Sequence, residues 1–91
     1  MDSNIKEGCL VVSTIGHDKG RVYLVLKVLD GYALCVDGNY RTLNKPKRKR
    51  LKHLKNCYKE FNNLLEKFKN GKLYDFEVKT TIKNEVKMHK V

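Results

Sequence analysis

The sequence predicts a mainly β protein with some helix: a small closed barrel of five short strands, followed by one or two helices. The chain has 91 residues, a length that supports one hydrophobic core. From residue 8 to residue 43 the apolar residues recur with the strand period and are separated by glycine-rich turns. After residue 56 the apolar residues follow the helical period. We therefore divide the chain into a barrel at 1–55, with a basic exit segment at 44–59, and a helical extension at 56–91.

The first three strands are predicted at residues 9–15, 21–29 and 32–36. The second strand is the longest, and Asp30-Gly31 after it is typical of a two-residue hairpin turn. Strict alternation gives this strand two faces, which are Val22, Leu24, Leu26 and Val28 on one side and Tyr23, Val25, Lys27 and Leu29 on the other.

A fourth strand is predicted at residues 40–43 and a brief fifth strand at 51–54. Asp37-Gly38-Asn39 precedes the fourth strand, and these residue types are typical of tight turns. Pro46 then ends the run because its nitrogen has no proton to donate to a sheet. Five strands in so short a segment indicate a closed barrel.

One helix is predicted between Asn56, as its N-cap, and Asn70-Gly71, as its stop. Its apolar face carries Phe61, Leu64, Leu65 and Phe68, extended one turn earlier by Cys57 and Tyr58. Residues 73–91 fit either a strand or a second helix, and Asp75 as a possible N-cap favours the helix.

The positive charge is concentrated in one segment. The whole chain carries 20 Lys+Arg against 10 Asp+Glu, a net charge of +10. Residues 1–43 are neutral and residues 60–91 carry +2, whereas residues 44–59 hold eight Lys or Arg and no Asp or Glu. Clustered Lys and Arg neutralise phosphates, so this segment favours a polyanionic partner.

Several classes of protein are disfavoured. The longest apolar runs, such as 22–26, span five residues, against roughly 20 for a membrane helix. The polar first residues lack the apolar core of a signal peptide, so we expect a cytoplasmic protein. An amphipathic basic helix for a membrane surface is also missing, and this possibility ranks last.

Catalysis, metals and cofactors are not expected. The spacing of Cys9, Cys35 and Cys57 fits neither a disulfide framework nor a zinc site, although His53 and Cys57 stand four residues apart. No serine-nucleophile or phosphate-loop motif occurs, so we expect no enzyme and no small-molecule substrate. Cys9 and Cys35 are better explained as small buried apolar residues.

The segment Gly16-His17-Asp18-Lys19-Gly20, between two predicted strands and followed by Asp30-Gly31 and Asp37-Gly38, resembles the KOW motif. KOW motifs occur in large-subunit ribosomal proteins and transcription elongation factors, and the chain is most similar to short bacterial KOW-domain RNA-binding proteins. The resemblance covers residues 8–54. It implies a five-stranded SH3-like barrel, RNA binding with ribosomal RNA as the target, and neither catalysis nor a cofactor. His17 departs from it, because a permanently charged residue is expected there.

The candidate RNA-binding residues comprise the glycine loop, the residues beside it and the basic run. They are Gly16, His17, Lys19, Gly20, Arg21, Tyr40, Arg41, Lys45, Lys47, Arg48, Lys49, Arg50 and Lys52. The backbone amides of Gly16 and Gly20 could approach phosphates closely, and Tyr40 is the best candidate for stacking on a base.

Other interpretations stay open from the sequence. The basic run also fits a disordered linker or a nuclear localisation signal, and Tyr23, Tyr32 and Tyr40 also fit barrel residues with a wet hydroxyl. A protein-interaction module, using the barrel aromatics and the apolar helix face, is the second function considered. We expect a monomer whose partners are RNA and, as a further possibility, ribosomal proteins.

Overall fold

The computed structural model describes residues 5–88, apart from the side chains of residues 57–59. Five antiparallel strands form one sheet curled into a half-barrel, in the order β4-β3-β2-β1-β5. The strands are β1 Cys9–Ser13, β2 Val22–Leu29, β3 Tyr32–Val36, β4 Lys47–Arg50 and β5 Leu54–Glu60. Two helices follow, α1 Asn62–Lys69 and α2 Asp75–Met88, and a 3₁₀ turn at Leu51–His53 joins β4 to β5.

The β2–β3 hairpin confirms the prediction from Asp30-Gly31. Leu29 pairs with Tyr32 across a two-residue loop. The loop residues have positive φ angles, 45° at Asp30 and 81° at Gly31, as the turn that matches the strand twist requires.

A β-bulge in β2 changes the predicted faces of that strand. Val25 pairs with Cys35, but Lys27 pairs with Leu34, which leaves Leu26 as the extra residue. Such an insertion reverses the alternation beyond it. Val28 therefore packs with the cluster that contains Tyr23, and the prediction that Lys27 shares the face of Tyr23 is wrong.

The fourth strand is the basic run itself, and the prediction of a strand at 40–43 is wrong. The Asp37 carboxylate accepts the backbone N–H groups of Asn39, at 2.9 Å, and Arg41, at 2.8 Å. The Asp75 carboxylate accepts the N–H of Leu43 at 2.8 Å. These backbone N–H groups therefore donate to side chains instead of to a neighbouring strand. The chain rejoins the sheet only after Pro46.

The last strand and the first helix also lie later than predicted. Residues 51–53 form the 3₁₀ turn, and β5 runs from Leu54 across the boundary drawn at residue 55. Val11 pairs with Asn56, so Asn56 is a strand residue and the prediction that it caps a helix is wrong. Helix α1 begins at Asn62.

Helix α2 confirms the prediction of a second helix, whose predicted last residues, 89–91, lie outside the described residues. The carboxylate of Asp75 binds the distant Leu43. Glu77 accepts the N–H of Tyr74 at 3.2 Å, which satisfies a donor at the helix start. Lys67 of α1 forms an ion pair with Glu77 at 2.6 Å, so the two helices are joined at this point.

The sheet has an apolar cluster on each face. We call the side that carries Tyr23 the inner face, and the opposite side the outer face. The inner cluster comprises Ile5, Cys9, Val11, Tyr23, Val25, Ala33, Cys35 and Leu54. The outer cluster joins the sheet to the helices through Leu10, Leu24, Leu26, Val36, Leu64, Leu73 and Val78. The helices thus belong to the core of the protein.

Helix α1 directs its apolar face at the sheet. Leu64 is buried there, and Phe61 and Phe68 pack against the outer cluster. The face that the sequence offered to a partner protein is therefore largely used inside the molecule. Neither helix in residues 5–88 combines the length and the apolar composition that crossing a bilayer would need.

Candidate nucleic-acid interface

The glycine loop between β1 and β2 is a tight turn held by its own backbone. Gly16 and Gly20 have φ angles of 92° and 90°, which residues with a Cβ rarely adopt. The N–H of Lys19 donates to the carbonyl of Gly16 at 3.1 Å, and the N–H of Gly20 donates to the carbonyl of Ser13 at 2.8 Å. The amide of Gly20 is therefore committed inside the loop, and the prediction that it is available to a phosphate is wrong.

A buried polar network lies under this loop. The Asp18 carboxylate accepts from the Ser13 hydroxyl at 2.8 Å, from the Tyr23 hydroxyl at 2.7 Å and from the Lys49 ammonium at 3.0 Å. Lys49 also donates to the Ser13 hydroxyl at 2.9 Å. The side chains of Lys49 and Asp18 are only 8% and 10% exposed. Lys49 therefore anchors the loop to β4, and its charge is already neutralised by Asp18.

The ionisation of this network is strongly biased. Burial alone would raise the pKa of Asp18, but the hydrogen bonds from Tyr23, Lys49 and Ser13 and the charge of Lys49 outweigh burial and hold that pKa well below its ordinary value. Burial, together with the adjacent Asp18 carboxylate, raises the pKa of Tyr23. Asp18 thus stays an acceptor and Tyr23 stays a donor over the whole range in which most proteins are folded.

An open cleft of about 440 Å³ lies beside the network. Five cationic or basic residues line it, each from a different segment: His17 from the glycine loop, Arg21 from just before β2, Arg41 from the loop before β4, Lys47 from β4 and His53 from the 3₁₀ turn. We call this site the cationic cleft; the remaining residues that line it are Ile15, Gly16, Asp18, Tyr23 and Lys49. Arg21, Arg41 and Lys47 carry permanent charge at neutral pH, and the carboxylate of Asp18 beside them is already paired with Lys49.

His53 is a cleft residue that sequence reasoning missed, because His53 was considered only as a metal ligand beside Cys57. Its carbonyl accepts the N–H of Thr14 at 2.9 Å, a bond that brings the 3₁₀ turn against the end of β1. This bond and the pairing of Ser13 with Leu54 bring His53 to the cleft that His17 also lines, and the sequence carries no local signal for either contact.

Arg21, which lines the cleft, also stacks on the ring of Tyr40. The Arg21 guanidinium lies 4.2 Å from the centre of the Tyr40 ring, a cation–π contact. Tyr40 is 69% exposed, so this contact orients Arg21 at the surface.

The predicted basic run is divided between the two faces of the sheet. Lys47 and Lys49 pair with Cys35 and Ala33, inner-face residues, whereas Arg48 and Arg50 pair with Leu34 and Tyr32. Successive side chains of a strand point to opposite sides, so Lys47 reaches the cleft and the two arginines lie on the outer face.

Three further predicted residues, all lysines, lie apart from the residues that line the cleft. Lys45 is exposed in the loop before β4, and Lys52 is exposed on the 3₁₀ turn. Lys19 is exposed in the glycine loop. The interpretation of the run as a disordered linker is wrong for residues 47–50, which are paired along their length with β3.

Known protein families and curated proteins offer no match to this chain. The resemblance to the KOW motif therefore rests on the residues of the glycine loop and its frame.

The cysteines of the described side chains lie inside the fold. Cys9 and Cys35 lie in the inner cluster outside any disulfide, as predicted for small apolar residues, and burial raises the pKa of Cys35 to about 12. Over residues 5–88, with the side chains of 57–59 set aside, no group of three or more potential metal ligands comes together. Cys57, the other residue considered for a metal site, lies outside the described side chains.

Proposed function

We propose that this protein binds structured RNA through the cationic cleft, on an SH3-like barrel of the KOW type. The observation that carries the proposal is the convergence of Arg21, Arg41 and Lys47, from three separate segments, on one open site. Guanidinium groups bind phosphate oxygens through two parallel hydrogen bonds, and lysine adds a point charge. A site so built recognises the path of a phosphate backbone.

The buried network supports this role. Because Lys49 satisfies Asp18, the one carboxylate that lines the cleft no longer opposes the cations around it. The same network ties Asp18 of the glycine loop to Lys49 of β4. The cleft residues of these two segments, His17 and Lys47, therefore keep their spacing without RNA. A preorganised site loses less conformational entropy on binding.

The recognition we propose is mainly of RNA shape. Shape and backbone recognition is the common way in which proteins bind double-stranded RNA. Ribosomal RNA is the proposed target because the glycine loop resembles a motif of large-subunit ribosomal proteins. We place the protein in the cytoplasm, where such RNA is available and where cysteines outside disulfides, such as Cys9 and Cys35, stay reduced.

Salt dependence tests the proposal directly. A fluorescent RNA hairpin from the large ribosomal subunit is titrated with the full chain, between about 50 and 200 mM salt. Three permanent cations in the cleft predict that log affinity falls with log salt at a slope of about −2 or steeper. Arg41→Ala should flatten that slope by about 0.7 to 0.9.

Lys83→Ala is the matched control, because it removes one charge from an exposed position on α2. Its slope should equal that of the unaltered protein. Binding that ignores salt, or an equal change in both variants, would contradict the proposal.

A further inference from the structure

The outer face of the sheet carries a second concave site, beyond the part that the helices cover. This groove of about 400 Å³ lies at the far end of the β2–β3 hairpin and beside β4. We call it the outer groove; it is lined by Lys27, Leu29, Asp30, Tyr32, Ala33, Leu34 and Arg48. None of these residues lines the cationic cleft.

The bulge at Leu26 builds this groove. By adding one residue to β2, it places Lys27 opposite Leu34 and Leu29 opposite Tyr32. Leu29 is thereby 57% exposed and lies next to other apolar groups of the groove. Bulges often re-aim side chains at functional positions, and a leucine so exposed on a sheet gains from a partner that covers it.

Two arginines border the same site. The guanidinium of Arg48 lies 4.4 Å from the centre of the Tyr32 ring, and that of Arg50 lies 5.4 Å from it. The ion pairs found in the described part of the chain use Lys6, Lys49 and Lys67, so neither arginine is neutralised there. Stacking on a ring leaves the N–H fork of a guanidinium free to bind a carboxylate.

The chemistry of the groove favours a peptide over RNA. Tyr32 already holds two guanidiniums, so its ring is a poor platform for a base. Leu29 and Leu34 offer aliphatic contacts, which apolar side chains of a peptide can cover. Lys27, Arg48 and Arg50 outnumber the carboxylate of Asp30, and this balance favours an acidic segment.

We propose that the outer groove is a docking site for an acidic peptide segment of a partner protein. Carboxylates of the segment bind Arg48 and Arg50, and an apolar side chain between them covers Leu29. The site lies on the opposite face of the sheet from the cationic cleft, so the partner and the RNA can be bound together.

The test is selection of a phage library of random peptides against the full chain. Peptides that combine Asp or Glu with a large apolar residue should be enriched. Their affinity should fall about tenfold or more in Arg48→Ala, because a hydrogen bond to a charged group is lost. Leu29→Asp should weaken binding at least as much, since it places a carboxylate against the acidic peptide, and its exposed position keeps the fold intact.

A cleft variant separates this proposal from RNA binding. Arg41→Ala should leave peptide affinity unchanged, whatever it does to RNA. Selection without acidic enrichment, or selected peptides that bind Leu29→Asp as tightly as the unaltered chain, would overturn the docking site. So would a loss of RNA affinity in Arg48→Ala equal to that in Arg41→Ala, because the groove would then be an RNA surface.

Discussion

The cationic cleft and the outer groove both receive side chains from β4, yet their chemistry differs. The cleft takes Lys47 from this strand and lies over the buried pair of Lys49 and Asp18. The groove is lined by Arg48, which stacks on the ring of Tyr32, and by the exposed Leu29. The pleat of one strand thus divides a uniform run of positive charge into a polar site and a largely apolar one. Neighbouring basic residues in a sequence need not share a ligand.

The largest effect is expected from Asp18→Asn, which removes the partner of a buried ammonium. Loss of one member of a buried ion pair costs about 3 to 5 kcal/mol of unfolding free energy. Urea denaturation measures it, with Asp30→Asn, an exposed carboxylate of the hairpin turn, as the control. Equal stability of the two variants would show that the network does not hold the fold.

The pH dependence of stability should change in the same variant. The pKa of Asp18 is lowered in the folded state, so its stabilising contribution is present above the ordinary value of 3.8 and is lost as the pH falls below it. Urea midpoints of the unaltered protein should therefore drop more steeply between neutral and acid pH than those of Asp18→Asn. Parallel curves would contradict the lowered pKa.

A smaller loss of stability is expected from Gly38→Ala, at the contact between the loop before β4 and helix α2. A Cβ at this glycine would clash with the carbonyl of Asp75 and lie 2.8 Å from the nitrogen of Lys79. We expect a loss of about 3 kcal/mol, from strain at positive φ and from overpacking. Gly31→Ala is the control, since it shares the positive φ but meets nothing within 4 Å. Equal losses of unfolding free energy in the two variants would mean that the loop shifts away from the helix to make room for the added Cβ.

The contrast between the two faces is tested most directly by Lys47→Ala and Arg48→Ala. The two residues are adjacent in β4 but lie on opposite faces. Lys47→Ala should flatten the salt slope of RNA binding by about 0.7 to 0.9, and Arg48→Ala should leave it unchanged. Fluorescence anisotropy with one RNA compares them, and the same slope in both variants would remove the distinction between the faces.

The smallest effect is expected from Tyr40→Leu. Loss of the contact with Arg21 should weaken RNA binding by about 0.5 to 1 kcal/mol, the value of an exposed cation–π pair. Tyr32→Leu, which disturbs the arginines of the outer groove, should leave the affinity for RNA unchanged. Competition binding compares the RNA affinities of the two variants. An equal loss of affinity in both would show that both tyrosines contribute to RNA binding.

Local signals predicted the parts of the fold that local chemistry determines. The strands β1 to β3 and the turn at Asp30-Gly31 follow from alternation and from positive φ. The apolar spacing of residues 73–91 fits a strand or a helix, and Asp75 favours the helix that the structure has. Long-range contacts explain only part of the failures, because the bonds of Asp37 to Asn39 and Arg41 and the bulge at Leu26 are local. Leu43 bonds to Asp75, 32 residues along the chain, and such a contact leaves no trace in the nearby sequence.

The candidate site was predicted less well than the fold. The sequence placed charge near a glycine loop, and the structure brings His17, Arg21, Arg41 and Lys47 together there. In a strand at 47–50, alternation puts Lys47 and Lys49 on one face and Arg48 and Arg50 on the other. The sequence predicts the fourth strand at 40–43 instead, so this division of the basic run is not predicted. The burial of Lys49 depends on Ser13 and Asp18, which only the folded sheet brings within reach.

The contact of Gly38 and Leu43 with the start of α2 bears on how this protein can have changed during evolution. The loop that carries Arg41 is positioned by a helix that begins at residue 75, so the cleft is not a portable strand-loop-strand unit. A gene fragment encoding the sheet alone would carry the residues of the cleft without their geometry. Divergence in α2 would therefore change the geometry of the cleft, and with it the proposed RNA binding, while every residue in the cleft stayed the same.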